Sequence, residues 1–288
     1  MNDKQFIQDF ENRVKDTIEK YSLINKKDRV MVACSGGKDS TTLLYLLNKF
    51  GYHVEGIFID LHLGNYSKTN LRNVKSFCKK NKIKLHEFSF RNEFGYSVCY
   101  IKSVLKSKNI TLRSCNICGI LRRWLLNRKT RELKATKLVT GHNLDDEVET
   151  ILMNFFNGNI NLIIRIGPEV GVIKNEKFVP RIKPLYFVTN EETTKYSKLM
   201  KFPVLYEKCP CSVDAHRGNF RRFIKETEEK YPGTKNRIAK SFLEVLPELR
   251  GFYKTDKKIN YCEVCGEPSS INVCNACTLF KKLAKRIS

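Results

Sequence analysis

No stretch of this 288-residue sequence approaches the roughly 20 apolar residues that a membrane helix needs, so no membrane span is expected. The opening segment MNDKQFIQDFENRVKDTIEKY mixes both charge signs and lacks the unbroken apolar centre of a secretory leader, which points to the cytoplasm. Repeats and low-complexity tracts are missing too, so neither a solenoid nor a biased tail is expected. Acidic residues are scarce: 30 stand against 53 Lys and Arg, a formal net charge of +23. Such a surplus attracts polyanions, nucleic acid above all, although a lysine-rich solvated surface would look the same. Two nucleotide signatures are also lacking. The sequence has no G-x-x-x-x-G-K-[ST] and no G-x-G-x-x-G, which sets aside Walker-type NTPases and dinucleotide folds.

What is present supports a packed core. Apolar residues make up 41 % of the chain and aromatics 11 %, enough for one large α/β domain and a small appendage. Phe6, Phe10, Val14 and Ile18 recur every four residues and predict an amphipathic helix within 1–27. DRVMVACSGGKDSTTLLYLLNKF (28–50) reads as a buried strand, a Gly-Gly turn and a helix. HVEGIFID (53–60), IKLHEFSF (83–90) and KLVTGH (137–142) read as three more strands. Helical patterns lie between and after them: Ile120, Leu121, Trp124 and Leu125 in one, Val148, Ile151, Leu152 and Phe155 in another. Alternation of this kind predicts a Rossmann-like parallel sheet with helices on both faces and sites at the strands' carboxyl ends. The main domain spans 28–250, ending in two helices from about 215 to 246. After the charged linker KTDKK, a four-cysteine module occupies 258–288.

SGGKDS, Ser35 to Ser40, follows a strand and opens a helix. Gly36 and Gly37 permit a tight turn and close approach of a ligand, and the helix start offers N–H groups to an anion. Lys38 adds a full charge, and Ser35 and Ser40 add hydroxyl donors. A Gly-Gly turn used for geometry alone is the plainer alternative. TGHNLDDEVET, from Thr140, crowds Asp145, Asp146, Glu147 and Glu149 into the first turns of a helix that Asn143 can cap. The helix dipole favours acids there in any protein. Their position straight after a strand, however, puts them at the same sheet end as SGGKDS, where Mg²⁺ takes one or two carboxylates.

Eleven cysteines, mostly in C-x-x-C pairs, suit a reducing compartment and metals better than disulfides. Cys262, Cys265, Cys274 and Cys277 form C-x2-C-x8-C-x2-C, a complete tetrahedral set for structural Zn²⁺. Cys115 and Cys118 form an incomplete one. They admit a dithiol redox pair, half a zinc site, two ligands of an iron–sulfur cluster or a buried structural pair. Cys34, Cys78 and Cys99 read as core thiols. The helix after Cys118 presents Arg122, Arg123, Arg128 and Lys129 to solvent. Downstream, EKCPC and HRGNFRRFI bring Cys209, Cys211, Arg217, Arg221 and Arg222; Arg217 and Arg221 are four apart and share a helix face.

The loop SGGKDS resembles that of the PP-loop ATP pyrophosphatases, which cleave ATP between its α- and β-phosphates and activate an oxygen as an adenylate. The combination of SGGKDS, CNICGILRR, GHNLDD and EKC over roughly 28–250 resembles the TtcA/TtuA group of tRNA 2-thiolation enzymes. The RR after the cysteines and HRGNFRRFI are most similar to the branch acting on the wobble uridine. The resemblance implies ATP bound by Ser35 to Ser40 with Gly141, His142, Asp145 and Asp146, and Mg²⁺ near Asp39 and Asp146. It implies a 4Fe-4S cluster on Cys115, Cys118 and Cys209, with Cys211 as the alternative third ligand. One iron then lacks a protein ligand and is open to sulfide. Lys38, Asp39, Asp146, Arg122 and the three cysteines would be catalytic. Arg123, Arg217, Arg221 and Arg222 would meet tRNA. The sulfur donor would be a carrier thiocarboxylate, a persulfide or free sulfide, and relatives are often homodimers. Many relatives carry an N-terminal zinc motif where this chain has a helix, and an aromatic residue where it has Cys211.

Other activities fit parts of the pattern. A T-loop uridine or anticodon-loop cytidine thiolase shares the motifs. A lysidine synthetase-like enzyme would need no cysteine trio. A non-catalytic zinc-ribbon RNA-binding protein would need no intact SGGKDS.

Overall fold

The computed structural model describes residues 2–170, 175–211, 217–253 and 260–284. Four strands fall where apolar patterning places them: β1 (Arg29–Cys34), β2 (His53–Asp60), β3 (Lys84–Ser89) and β4 (Lys137–Val139). All four pair in parallel. Two further strands of two residues each, β5 (Glu169–Val170) and β6 (Arg181–Ile182), complete the order β3-β2-β1-β4-β6-β5, with β5 antiparallel to β6. Segments that short carry no periodic signal, which is why the sequence shows only loosened patterning there.

Alternation along the strands sorts side chains into two cores. Val30, Val32, Cys34, Val54, Phe58 and Val139 enter one; Met31, Ile57, Ile59 and Leu138 enter the other. The first core is covered by α1 (Asp3–Lys20), α2 (Lys38–Lys49), α3 (Asn65–Lys80) and α9 (Asn190–Leu199). Phe6, Phe10, Val14 and Ile18 are all buried, and Phe10 stacks on Tyr196 at 4.3 Å between ring centroids. Glu11 accepts from the Tyr196 hydroxyl at 2.7 Å and from Lys49 at 2.6 Å, so α1 is fixed to the main body.

The second core is covered by α4 (Phe90–Phe94), α5 (Val98–Ser107) and α6 (Ser114–Glu132). It also takes in the C-terminal module, whose hairpin β7 (Asn260–Tyr261) and β8 (Pro268–Ser269) leads to α12 (Asn275–Ala284). Cys262, Cys274, Ala276 and Leu279 share this core with Ile117, Leu121 and Leu125 of α6. Arg131 of α6 donates to Glu267 at 2.9 Å. The appendage is therefore docked on one particular helix. Lys129, expected on the solvent side of α6, is only 15 % exposed because Glu93 and Glu132 hold it at 3.0 and 3.2 Å.

A helical layer follows the sheet: α7 (Leu144–Phe156), α8 (Ile160–Ile163), α10 (Arg217–Lys230) and α11 (Thr234–Phe252). Leu144 and Val148 meet Ile224 and Ala239, while Ile151 meets Phe242 and Leu246. Phe155 extends the apolar pattern of α7 but is 48 % exposed, since the helix ends beyond the layer it packs on. Three acids of α7 act as clamps. Asp145 takes Lys235 at 2.7 Å, Glu147 takes Lys183 at 2.7 Å and Glu149 takes Arg221 at 2.7 Å. Glu147 and Lys183 are both buried, and breaking such a pair leaves a bare charge in a low-dielectric site. Lys183→Met is expected to cost about 3–5 kcal/mol of unfolding free energy, measured by denaturant titration. No helix among the described residues is long and apolar enough to cross a membrane.

β1 lies in the middle of the sheet, with β2 on one side and β4 on the other. The chain's direction of travel thus reverses between β1 and β4, and their carboxyl ends frame a crevice.

Candidate functional site

At that crevice, β1 ends in Cys34 and the loop Ser35–Gly37 leads straight into α2, whose cap residue Gly37 contributes no side chain to the first turn. The helix start therefore presents backbone donors, as an anion site requires. Gly36 has φ +82°, and a Cβ there would lie 2.5 Å from Cβ of Asn70 on α3. Only glycine fits. Hydroxyls stiffen the loop: Ser40 Oγ accepts from Ser35 N at 3.2 Å and donates to Gly37 O at 3.1 Å. Lys38 Nζ donates to both oxygens of Asp39, at 2.8 and 2.9 Å.

The second motif meets this loop across the crevice. A Cβ on Gly141 would come within 3.0 Å of Asp39 Cβ and 3.2 Å of Ser40 N, so glycine lets the two turns touch. Asn143 caps α7 through a capping box with Asp146, and its Nδ2 donates to Asp39 Oδ1 at 3.2 Å. Burial pushes the Asp39 carboxyl up and neighbouring Asp146 adds to it, while Lys38 and Asn143 pull the other way. Two carboxylates sharing one partly desolvated spot are a fitting oxygen pair for a divalent cation. His142 is exposed, with Nδ1 3.0 Å from Thr140 Oγ1. Asp145, expected beside the nucleotide, has its oxygens engaged by Lys235 and by the backbone N–H of Asn190 at 2.7 Å. It joins three elements.

A cleft of about 160 Å³ opens beside the loop and is lined by Ser35, Tyr66, Asn70, Arg122 and Cys209. Tyr66 and Asn70 are one turn apart on α3. Asn70 Nδ2 is buried beside the Tyr66 hydroxyl, and the two polar groups share the cleft wall. Burial, with Cys209 beside it, raises the Tyr66 phenol. Neither residue belongs to a motif. Their signal was the i, i+4 polar pair on a helix following β2.

Cys115 sits in the first turn of α6 and Cys118 opens the second, three residues on along one face. No side chain caps that helix start, so its backbone N–H groups are left for other acceptors. Arg122 Nη2 donates to Cys118 Sγ at 3.1 Å, and Cys115 Sγ donates to Cys211 O at 3.4 Å. Cys209 and Cys211 point to different places. Cys209 lines the cleft with Arg122, whereas Cys211 lies against Cys99. Burial, with Cys209, Cys99 and Cys115 nearby, pushes the Cys211 thiol up to about 11. Cys99, read from the sequence as a core thiol, is exposed. Val98, Ile101 and Leu105 form the buried stripe of α5 and leave Cys99 on another face; Cys34 and Cys78 are buried.

The C-terminal cysteines close on a point: the sulfurs of Cys262, Cys265, Cys274 and Cys277 all lie within 4.8 Å of one another. Burial opposes the charge on Cys262, yet backbone donors of Cys274, Cys265 and Val264 bring that thiol down to about 6. The set suits one tetrahedral Zn²⁺. No other such group of three or more ligands occurs among the described residues, so Cys115, Cys118 and Cys209 do not converge on a single ion. Wider spacing suits a polynuclear cluster, where each sulfur takes a different iron. Because the module shares a core with α6, Cys265→Ser is expected to lower Tm by roughly 5–10 °C and to speed alkylation of Cys115, read by scanning calorimetry and thiol labelling.

The arginines divide. Arg123 faces Arg181, whose guanidinium is brought down by burial and then by Arg123. Arg221, expected to meet RNA, grips Glu149 with two donors at 2.7 and 3.2 Å, tying α10 to α7. Arg222 is exposed. Arg217 opens α10, but its side chain lies outside the described residues, as does His216.

Comparison with known proteins agrees with this geometry. The family model described as a PP-loop domain matches residues 6–227. A tRNA-5-methyluridine(54) 2-sulfurtransferase of Pyrococcus horikoshii is 32 % identical over 99 % of this chain and 89 % of its own length. The tRNA 2-thiolation protein NcsA of Haloferax volcanii is 32 % identical over 88 % of this chain and 82 % of its own. The solved U34-tRNA thiolase NcsA from Methanococcus maripaludis, with its 4Fe-4S cluster, superimposes with a TM-score of 0.81 at 26 % identity. That match covers 98 % of this chain and 89 % of the other.

Proposed function

The chain belongs to the PP-loop family and, within it, to the tRNA 2-thiolation group, and from that premise we propose that it is an ATP-dependent sulfurtransferase acting on a tRNA uridine. ATP adenylates uracil O2 with release of pyrophosphate, and sulfur then displaces AMP at C2. One observation carries the reading: Ser35 of the phosphate loop, and Arg122 and Cys209 of the cysteine site, line the same cleft. A base held there reaches both chemistries.

The roles follow from the geometry. Gly36, Gly37 and the start of α2 hold the departing pyrophosphate through backbone N–H groups, and Lys38 neutralises its growing charge. Asp39 and Asp146 would hold Mg²⁺, which would offset phosphate charge, and Asn143 fixes Asp39 by donating to its Oδ1. Asn70 and Tyr66 present polar groups to the substrate from the cleft wall. Cys115, Cys118 and Cys209 would hold a 4Fe-4S cluster, which would supply the sulfide for the second step. Arg122 steadies Cys118 and carries positive charge into the cleft. Cys262, Cys265, Cys274 and Cys277 hold Zn²⁺ and brace α6. The net charge of +23 draws in tRNA, with Arg123 and Arg222 at the surface and Arg217 on the same helix as Arg222.

The wobble uridine is the favoured target, supported by the paired arginines after Cys118 and by the likeness to the U34 thiolase. The similarity to the Pyrococcus protein supports a T-loop uridine as the second reading. A thionucleoside census of tRNA from a deletion strain decides: loss at the wobble position supports the first, loss in the T-loop the second, and an unchanged census ends both. Anaerobically prepared protein is expected to contain iron, acid-labile sulfide and zinc. Zinc alone would remove the cluster from the proposal.

A further inference from the structure

Cys99 and Cys211 remain unused by that chemistry, and they are together. Cys211 lies beside Cys99 on the wall of one pocket, although 112 positions separate them in the chain. Both line a surface pocket of about 420 Å³ with Lys102, Ser103, Lys106 and Ser114. Cys99, Lys102 and Lys106 fall at i, i+3 and i+7 on α5, so one helix face presents a thiol and two ammonium groups. Among the described residues, no carboxylate lines the pocket. Such a wall attracts a small anion. The two thiols are unequal in access: Cys99 is exposed and Cys211 half-buried. The inner one leads onward, because the Cys211 carbonyl accepts from the Cys115 thiol at 3.4 Å and Cys209 is two residues away.

We propose that Cys99 and Cys211 form a sulfur-loading site, which takes sulfane sulfur from a hydropolysulfide anion and releases it as hydrosulfide beside Cys115. The idea rests on the thiolase reading and names its sulfur source. The electrons balance without a further oxidant. The Cys99 thiolate attacks a sulfane sulfur of the polysulfide; that S–S bond breaks, and the shortened polysulfide leaves with the electron pair. Cys99 is then a persulfide. The Cys211 sulfur attacks the Cys99 sulfur, a Cys99–Cys211 disulfide forms, and HS⁻ leaves with the bonding pair while the Cys211 proton passes to solvent. The two thiols have supplied two electrons to the sulfur. An external dithiol restores them by exchange.

The test treats reduced full-length protein, Cys99→Ser and Cys211→Ser with sodium tetrasulfide, without ATP or tRNA. The products are alkylated and mapped by peptide mass, and released sulfide is measured. Cys211→Ser is expected to hold one extra sulfur atom on Cys99. Wild type is expected to give the Cys99–Cys211 disulfide with one equivalent of sulfide, and Cys99→Ser to release at least ~10-fold less. Equal zinc content in all three shows that they fold. Equal sulfide release from Cys99→Ser, or sulfur found on Cys115 or Cys209 with Cys99 unmodified, overturns the proposal. Thiolation driven by free sulfide is measured separately on wild type. Its failure would end the functional reading and leave the loading result to stand on its own.

Discussion

Replacing Lys38 by Ala is expected to lower tRNA-dependent pyrophosphate release by roughly 10²–10³-fold, the usual cost of losing one preorganised group at a developing charge. Lys38 is 13 % exposed at its side chain and bonds both oxygens of Asp39. Its charge is therefore largely shielded from water and held against Asp39, the residue that follows it in the phosphate loop. With triphosphate bound, the same ammonium has a stronger anion to face, and it gains most as the pyrophosphate separates. The loss should fall mainly on kcat, because backbone donors at Gly37 and beyond still bind the ground state. Removal of Lys38 also leaves Asp39 beside Asp146 with less compensation, so stronger Mg²⁺ dependence of nucleotide binding should accompany the loss. Isothermal titration with a non-hydrolysable nucleotide separates the two effects. A variant with unaltered pyrophosphate release would favour a non-catalytic RNA-binding role.

Cys118→Ser is expected to abolish iron binding and to reduce thionucleoside formation by roughly 10³-fold or more, several kcal/mol of lost metal assistance. Cys118 is half-buried against the α6 core and receives Arg122 at 3.1 Å, so serine keeps the shape of the site and removes the soft ligand. Pyrophosphate release should survive within about tenfold, because the phosphate loop is built from different elements. This dissociation separates the thiolase from a lysidine synthetase-like enzyme, in which neither output would depend on a cysteine. Iron analysis, the visible absorption of the protein and nucleoside mass spectrometry read the three quantities.

Much of the scaffold was legible because its signals are local. β1 to β4 are apolar runs of strand length, and Phe6 to Ile18 repeat at a helical period. The loop at Gly36 could be read because its chemistry is contiguous, and the backbone explains its glycine through Asn70. What depends on distant pairing was hidden. Asp145, Glu147 and Glu149 looked alike as acids at a helix start, yet each holds a different cation 36 to 90 residues away. Arg221 reads from the sequence as a phosphate ligand; the structure adds its pairing with Glu149 while leaving its side chain 58 % exposed. Cys99 was misread for want of its helical face, since Lys102 and Lys106 on that face already argued for exposure. The module at Cys262 read as an appendage because periodicity does not say what a small core packs against.

The central claim is that one cleft couples ATP cleavage to sulfur insertion. It is tested most directly by counting products: anaerobic, metal-replete protein is given ATP, sulfide and unmodified tRNA, and pyrophosphate and 2-thiouridine are measured together. The account predicts equal amounts of both with all three substrates present, and no thionucleoside when ATP, sulfide or tRNA is left out. Pyrophosphate without thionucleoside from intact, cluster-bearing protein, or thionucleoside formed without ATP, would contradict it.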